Sequence, residues 1–114
     1  MTLKNQDLST IKELFKKIYF YKQCVHKLVA LCKPFNEASD LSSKEEIFNS
    51  IDLEANFLEE KKSNLRREVH TLKRKIQEFL KDPSISFLIT KKYYILTNSE
   101  GVLYSLPIEE VEKL

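Results

Sequence analysis

Cys24, His26, Cys32 and His70 are the side chains in this sequence best suited to holding a metal ion. Zinc needs three or four such donors converging on one point. Cys24, His26 and Cys32 fall within one helical stretch, where His26 lies about 200° around the axis from Cys24 at 3.6 residues per turn. A single helix cannot aim all three at one ion, and His70 would have to supply more than the geometry allows. No metal site is expected. The two cysteines are also too far apart for a disulfide, since eight helical residues rise roughly 12 Å against a reach of about 7 Å between α-carbons. They are expected as reduced, partly buried thiols, which suits an intracellular protein.

A second kind of chemistry is suggested by Lys61, Lys62, Arg66, Arg67, Lys73, Arg74 and Lys75. Such a run can neutralise several phosphates, and Tyr93, Tyr94 and Tyr104 offer stacking faces. Lys62, Arg66, Arg67, Lys73 and Arg74 are therefore the candidate nucleic-acid contacts. The competing expectation is a solvated helix face, with Glu59, Glu60 and Glu68 interspersed. The formal net charge of only +2 favours that second expectation.

Catalytic signals are missing. The single glycine excludes glycine-rich phosphate loops and the dinucleotide fingerprint. There is no H-E-x-x-H, C-x-x-C or G-x-S-x-G pattern. No catalytic residue and no cofactor are expected, and the chain reads as a non-enzyme.

The elements that would carry these residues follow from the apolar spacing. From Ser43 to Lys81, Phe48, Ile51, Ala55, Leu58, Lys62, Leu65, Val69, Leu72, Ile76 and Phe79 recur three and four residues apart, apolar except at Lys62. That is the seam of a coiled coil or helical hairpin. A helix of this length reaches roughly 58 Å at about 1.5 Å per residue, and it needs another helix to cover its seam. Ser50 and Asp52 could cap a second start, so a break near Asn49 is an open alternative.

The first helix is expected over about 8–33. It starts at Asp7 or Thr10 and carries Ile11, Leu14, Ile18, Tyr21, Val25, Leu28 and Cys32 in the same rhythm. Leu8, Phe15 and Val29 widen that stripe. Pro34 is expected to end it, because proline lacks the amide hydrogen and disfavours helix at Lys33. Residues 34–42 then form a connector, and Ser42 or Ser43 caps the second helix, expected over about 43–81. By these lengths the first helix covers the second only to about Arg67.

Charge supports an antiparallel pair. Residues 1–33 carry +5, 34–60 carry −7, 61–92 carry +7 and 93–114 carry −3. Exposed pairs contribute only a few tenths of a kcal/mol each, so they select register more than they stabilise.

After Asp82-Pro83 the composition turns β-branched and aromatic. Tyr93–Thr97 and Val102–Ser105 flank Asn98-Ser99-Glu100-Gly101, a hairpin signal in which Gly101 takes the positive φ that a type I turn with a bulge requires. A third strand from 85–90 or a partner's sheet would support it. Residues 108–114 form a last short helix with Val111 and Leu114 facing inward.

The sequence thus predicts a mainly α fold: an antiparallel two-helix coiled-coil hairpin over 1–82 with a small β element and a short helix over 83–114. The expected role is a coiled-coil interaction subunit of a larger intracellular complex, cytoplasmic or nuclear. It would pair with itself or with another protein through the 48–79 seam, with the C-terminal hairpin as a docking element. The expected partner-facing residues are Leu65, Val69, Leu72, Ile76 and Phe79 of the seam, with Phe20 and Phe57, which lie outside it. The alternative is a nucleic-acid-binding accessory protein using the basic 61–75 face. No apolar run approaches the roughly 20 residues of a membrane helix, and no membrane partner is expected.

Overall fold

The computed structural model describes residues 3–114. Two long helices, α1 (Asn5–Glu37) and α2 (Leu41–Phe79), form an antiparallel hairpin. They are followed by strands β1 (Ser86–Ile89), β2 (Tyr93–Asn98) and β3 (Gly101–Pro107) and the short helix α3 (Ile108–Glu112). The strands form one antiparallel sheet in the order β1-β2-β3.

α1 exceeds its expected limits at both ends, whereas α2 is displaced by two residues, starting at Leu41 and ending at Phe79 rather than Lys81. Lys4 precedes α1, and its amide donates to Asp7 Oδ2 (3.1 Å), so Asp7 serves the first turn from inside the helix. Thr10 is no cap. Its hydroxyl donates to the Gln6 carbonyl one turn back (3.1 Å). Pro34 does not stop α1. It falls in the last turn, where its missing N–H breaks one hydrogen bond, and its own carbonyl still accepts from Ala38 (3.1 Å). The connector is therefore residues 38–40, much shorter than expected.

α2 runs through Asn49 without a break, and Ser50 merely donates to the Ile47 carbonyl (2.7 Å). Its cap is Asp40, one of the connector residues, rather than Ser42 or Ser43. The Ser43 amide donates to Asp40 Oδ1 (2.7 Å) and the Ser43 hydroxyl to Oδ2 (3.0 Å). These bonds, the backbone one first, hold the Asp40 carboxyl below its usual pKa. A lowered carboxylate pKa contributes stability above the ordinary value, and that contribution is lost as pH falls through the lowered one. Asp40→Asn is thus expected to show a smaller drop in Tm between neutral and acid pH than the parent. Equal acid sensitivity in a thermal melt would contradict this.

The far end of α2 closes in a Schellman arrangement. The Asp82 amide donates to the Gln77 carbonyl (3.0 Å) and the Lys81 amide to Glu78 (3.2 Å), with Lys81 left-handed at φ 52°. A side chain at that φ is strained where glycine is not. Lys81→Gly is expected to stabilise the fold by about 0.5–1 kcal/mol, read as a raised denaturation midpoint. A lowered midpoint would contradict the assignment.

The chain divides into two compact units, with the boundaries inside α1 and α2. One unit joins the residues up to Tyr19 with Arg67–Leu114. Ile11, Leu14, Phe15 and Ile18 of α1 meet Val69, Leu72 and Ile76 of α2, together with Ile85, Tyr94, Leu96 and Val111. The expectation that α2 would lie uncovered beyond Arg67 is overturned. Lys17 lies opposite Glu68, so the start of α1 runs alongside this stretch, and the sheet closes the core.

Phe15 is the centre of this core, tilted against Tyr94 (5.7 Å between centroids) and stacked on Tyr104 (6.3 Å). Lys16 Nζ donates to the carbonyls of Val111 (3.2 Å) and Glu112 (2.8 Å), the electronegative end of α3. Lys17 pairs with Glu68 (3.0 Å). Val111 is buried as expected, but Leu114 is exposed.

The hairpin signal is realised with a third strand. Gly101 has φ 132° at the β2–β3 turn. A bulge follows, since Leu96 pairs with Tyr104 while Thr97 pairs with Val102. The extra residue, Leu103, packs against the core, and Val102 is left on the outside. The turn is tied to the end of α2: Asn98 Nδ2 donates to Asp82 Oδ2 (3.1 Å) and the Ser99 amide to Ser84 Oγ (3.0 Å). Asp82 also accepts from the hydroxyl and amide of Ser84, and these bonds, the hydroxyl's foremost, lower its pKa.

The other unit is Phe20–Arg66, a plain helix pair. Its buried apolar residues are Cys24, Leu28, Leu58 and Leu65. Phe35 and Phe48 meet near the connector (6.3 Å).

Candidate interaction surfaces

The seam of α2 is buried within the chain from Leu58 to Ile76 and opens at its ends. Leu65, Val69, Leu72 and Ile76 are covered, whereas Phe79 is 52% exposed and Phe48 is half-exposed. Of the residues expected to face a partner, Phe57 (64%) and Phe79 lie at the surface, and Phe20 is half-buried. Leu53 was not among them, yet it is 87% exposed. Its signal was its position four residues before Phe57.

Lys62, the charged seam position, is half-buried, and its Nζ lies 3.1 Å from Glu59 Oε2. Its ammonium occupies a place where an apolar side chain would be covered. Lys62→Leu is expected to raise stability by about 1 kcal/mol. A Tm below that of the parent would contradict this.

The basic stretch is not built around aromatic stacking faces. Tyr94 is buried, which with Tyr19 and Glu112 nearby pushes its hydroxyl pKa up, and Tyr104 is stacked on Phe15. Tyr93 alone of the three is exposed. Lys73 Nζ lies over the Phe87 ring (5.9 Å) and Lys75 Nζ over Phe79 (5.6 Å). Arg66 belongs to the helix-pair unit, Arg67 and Arg74 to the sheet-containing one. All three are exposed and have no ion-pair partner among the described residues.

Cys24 and Cys32 are free thiols, and His26 and His70 are exposed. Among the described residues, no three potential metal ligands come together. Shallow clefts exist in each unit. One, of about 320 Å³, is lined by Glu13, Lys17, Arg67, Glu68, Thr71 and Leu72. Its charges include the Lys17–Glu68 pair, with Glu13 and Arg67 beside it. The other, of about 360 Å³, lies beside Phe35 and Phe48.

The sheet offers a different kind of surface. Its inner face carries Phe87, Ile89, Tyr94, Leu96 and Leu106 toward the core. Its outer face leaves Leu88 (55%), Tyr93 and Val102 (65%) exposed. Because the order is β1-β2-β3, β1 and β3 each have one unpaired edge. Neither strand contains a charged residue, one of the guards against edge pairing, although β1 is short and β3 carries a bulge and Pro107.

No helix among the described residues is long and apolar enough to cross a membrane. No family model, curated protein or solved structure matches the chain.

Proposed function

We propose that this chain is a non-enzymatic interaction subunit of a larger intracellular complex, cytoplasmic or nuclear, with a helical hairpin as its frame and the C-terminal sheet as its docking element. The observation that supports this reading is the sheet's two unpaired edges, which carry no charged residue on β1 or β3, beside exposed Leu88 and Val102. Strand addition uses such an edge, with main-chain hydrogen bonds giving affinity and alternate side chains giving specificity. The test is co-purification with Leu88→Lys and Val102→Lys, each placing a charge beside an edge, alongside light scattering of the purified chain. Loss of the partner, or of a homo-oligomer, with helicity intact supports docking through the sheet. Undiminished association in both variants would remove it.

A nucleic-acid role is the second reading, favoured by the exposed guanidinium groups of Arg67 and Arg74, which have no ion-pair partner among the described residues. It requires retention of DNA or RNA that falls steeply with salt and is weakened by Arg67→Glu and Arg74→Glu. Absent or salt-independent retention would exclude it.

A further inference from the structure

α2 carries a second stripe besides its buried seam. Glu46, Ser50, Leu53, Phe57, Glu60 and Asn64 recur at alternating intervals of four and three, which keeps them along one side of the helix. All six are exposed, and all lie in the helix-pair unit. The stripe has an apolar centre, Leu53 and Phe57, with a carboxylate one heptad before Leu53 and another one turn after Phe57.

We infer that this stripe docks a basic amphipathic helix of a different protein. Such a helix would place two apolar side chains against Leu53 and Phe57 and Lys or Arg opposite Glu46 and Glu60. The inference deepens the interaction-subunit reading and rests on it. A helix fits because the stripe has the spacing of a ridge that a second helix can interlock with.

A basic partner fits because this part of α2 has excess negative charge. Between Leu41 and Glu60 there are six acids against Lys44, whose Nζ sits over the Phe35 ring (5.7 Å). Glu59 is paired with Lys62, whereas Glu45, Glu46, Glu54 and Glu60 have no ion-pair partner among the described residues. Electrostatic matching of this kind selects partners and raises association rates.

A second copy is a poor occupant, since stripe against stripe would bring two acidic segments together. The chain's own basic helical stretch has its apolar residues Leu65, Val69 and Leu72 buried in the fold, so it cannot present an apolar centre while folded. Among the described residues of α1, Val29 is the one large apolar side chain that is exposed, where the stripe needs two.

The probe is a labelled synthetic helix of about four turns, with two central leucines one turn apart and Lys or Arg flanking them. Its binding to the full chain is read by fluorescence anisotropy at low and high salt. A control peptide has the same composition with its leucines dispersed around the helix. Saturable binding of the first peptide is expected, at least about tenfold weaker in the L53S/F57S variant, as for a central apolar anchor. Binding should also be weaker and less salt-sensitive in E46K/E60K. All four positions are exposed, so circular dichroism should match the parent.

Absent saturable binding, equal binding of the dispersed peptide, or unchanged affinity in L53S/F57S would overturn the inference. A homo-oligomer that dissociates in L53S/F57S would also overturn it, making a second copy the occupant. If the peptide fails while Leu88→Lys still costs the chain its partner, this inference falls and the docking-subunit reading stands. If neither variant affects any association, both fall.

Discussion

Phe15→Ala is expected to destabilise the fold by about 3–5 kcal/mol, a large part of the stability a domain of this size has. The ring is fully buried and touches Tyr94 and Tyr104, which come from different strands. Truncation removes its apolar surface from the core and leaves a cavity that two aromatic neighbours cannot refill by small shifts. It also removes the ring contacts themselves, worth about 0.5–1.5 kcal/mol per aromatic pair beyond burial. Chemical denaturation should show the loss directly. A change below about 1 kcal/mol would mean that Phe15 is not the packing centre.

The second expected effect concerns the Phe20–Arg66 helix pair. Leu58→Ala should destabilise it by about 2–3 kcal/mol. Leu58 is one of the few buried apolar residues of this unit, alongside Cys24, Leu28 and Leu65. The other unit has a sheet and three helical segments around a larger cluster. Local openings require less free energy where fewer apolar contacts are broken. Hydrogen exchange in Leu58→Ala is therefore expected to quicken in residues 20–37 and 41–66 much more than in β2 and β3. Uniform acceleration over the chain would indicate a single cooperative block instead.

Much of this architecture was legible in the apolar spacing. The three-four rhythm identified both helices because each buries a stripe, and burial is what periodicity records. Gly101 betrayed its turn because positive φ favours the one residue without a β-carbon. Periodicity does not say what covers a stripe, so Val69, Leu72 and Ile76 looked available to a partner. They are covered by α1 and by Ile85, Tyr94 and Leu96, whose contacts cross long stretches of sequence.

The helix ends depart from the expected ones for a local reason. Pro34 breaks one hydrogen bond, and near a helix terminus that loss can be tolerated. Asp40 competes with Ser42 and Ser43 for the same capping role, and spacing alone does not rank them. On the surface, Phe57 stood out because it lies off the seam. Leu53 did not, although the two belong to one stripe.

The core that joins α1 to α3 has a consequence for synthesis. Ile11 and Val111 share one cluster, so that core cannot close until Val111, a hundred residues further on, has left the ribosome. Until then the nascent chain has the Phe20–Arg66 helices to form but no lid for Phe15. Deleting the first turns of α1 would therefore unseat the C-terminal sheet, and deleting α3 would bare the N-terminal helix. Either deletion takes away part of the same core, so each should cost the other element its cover.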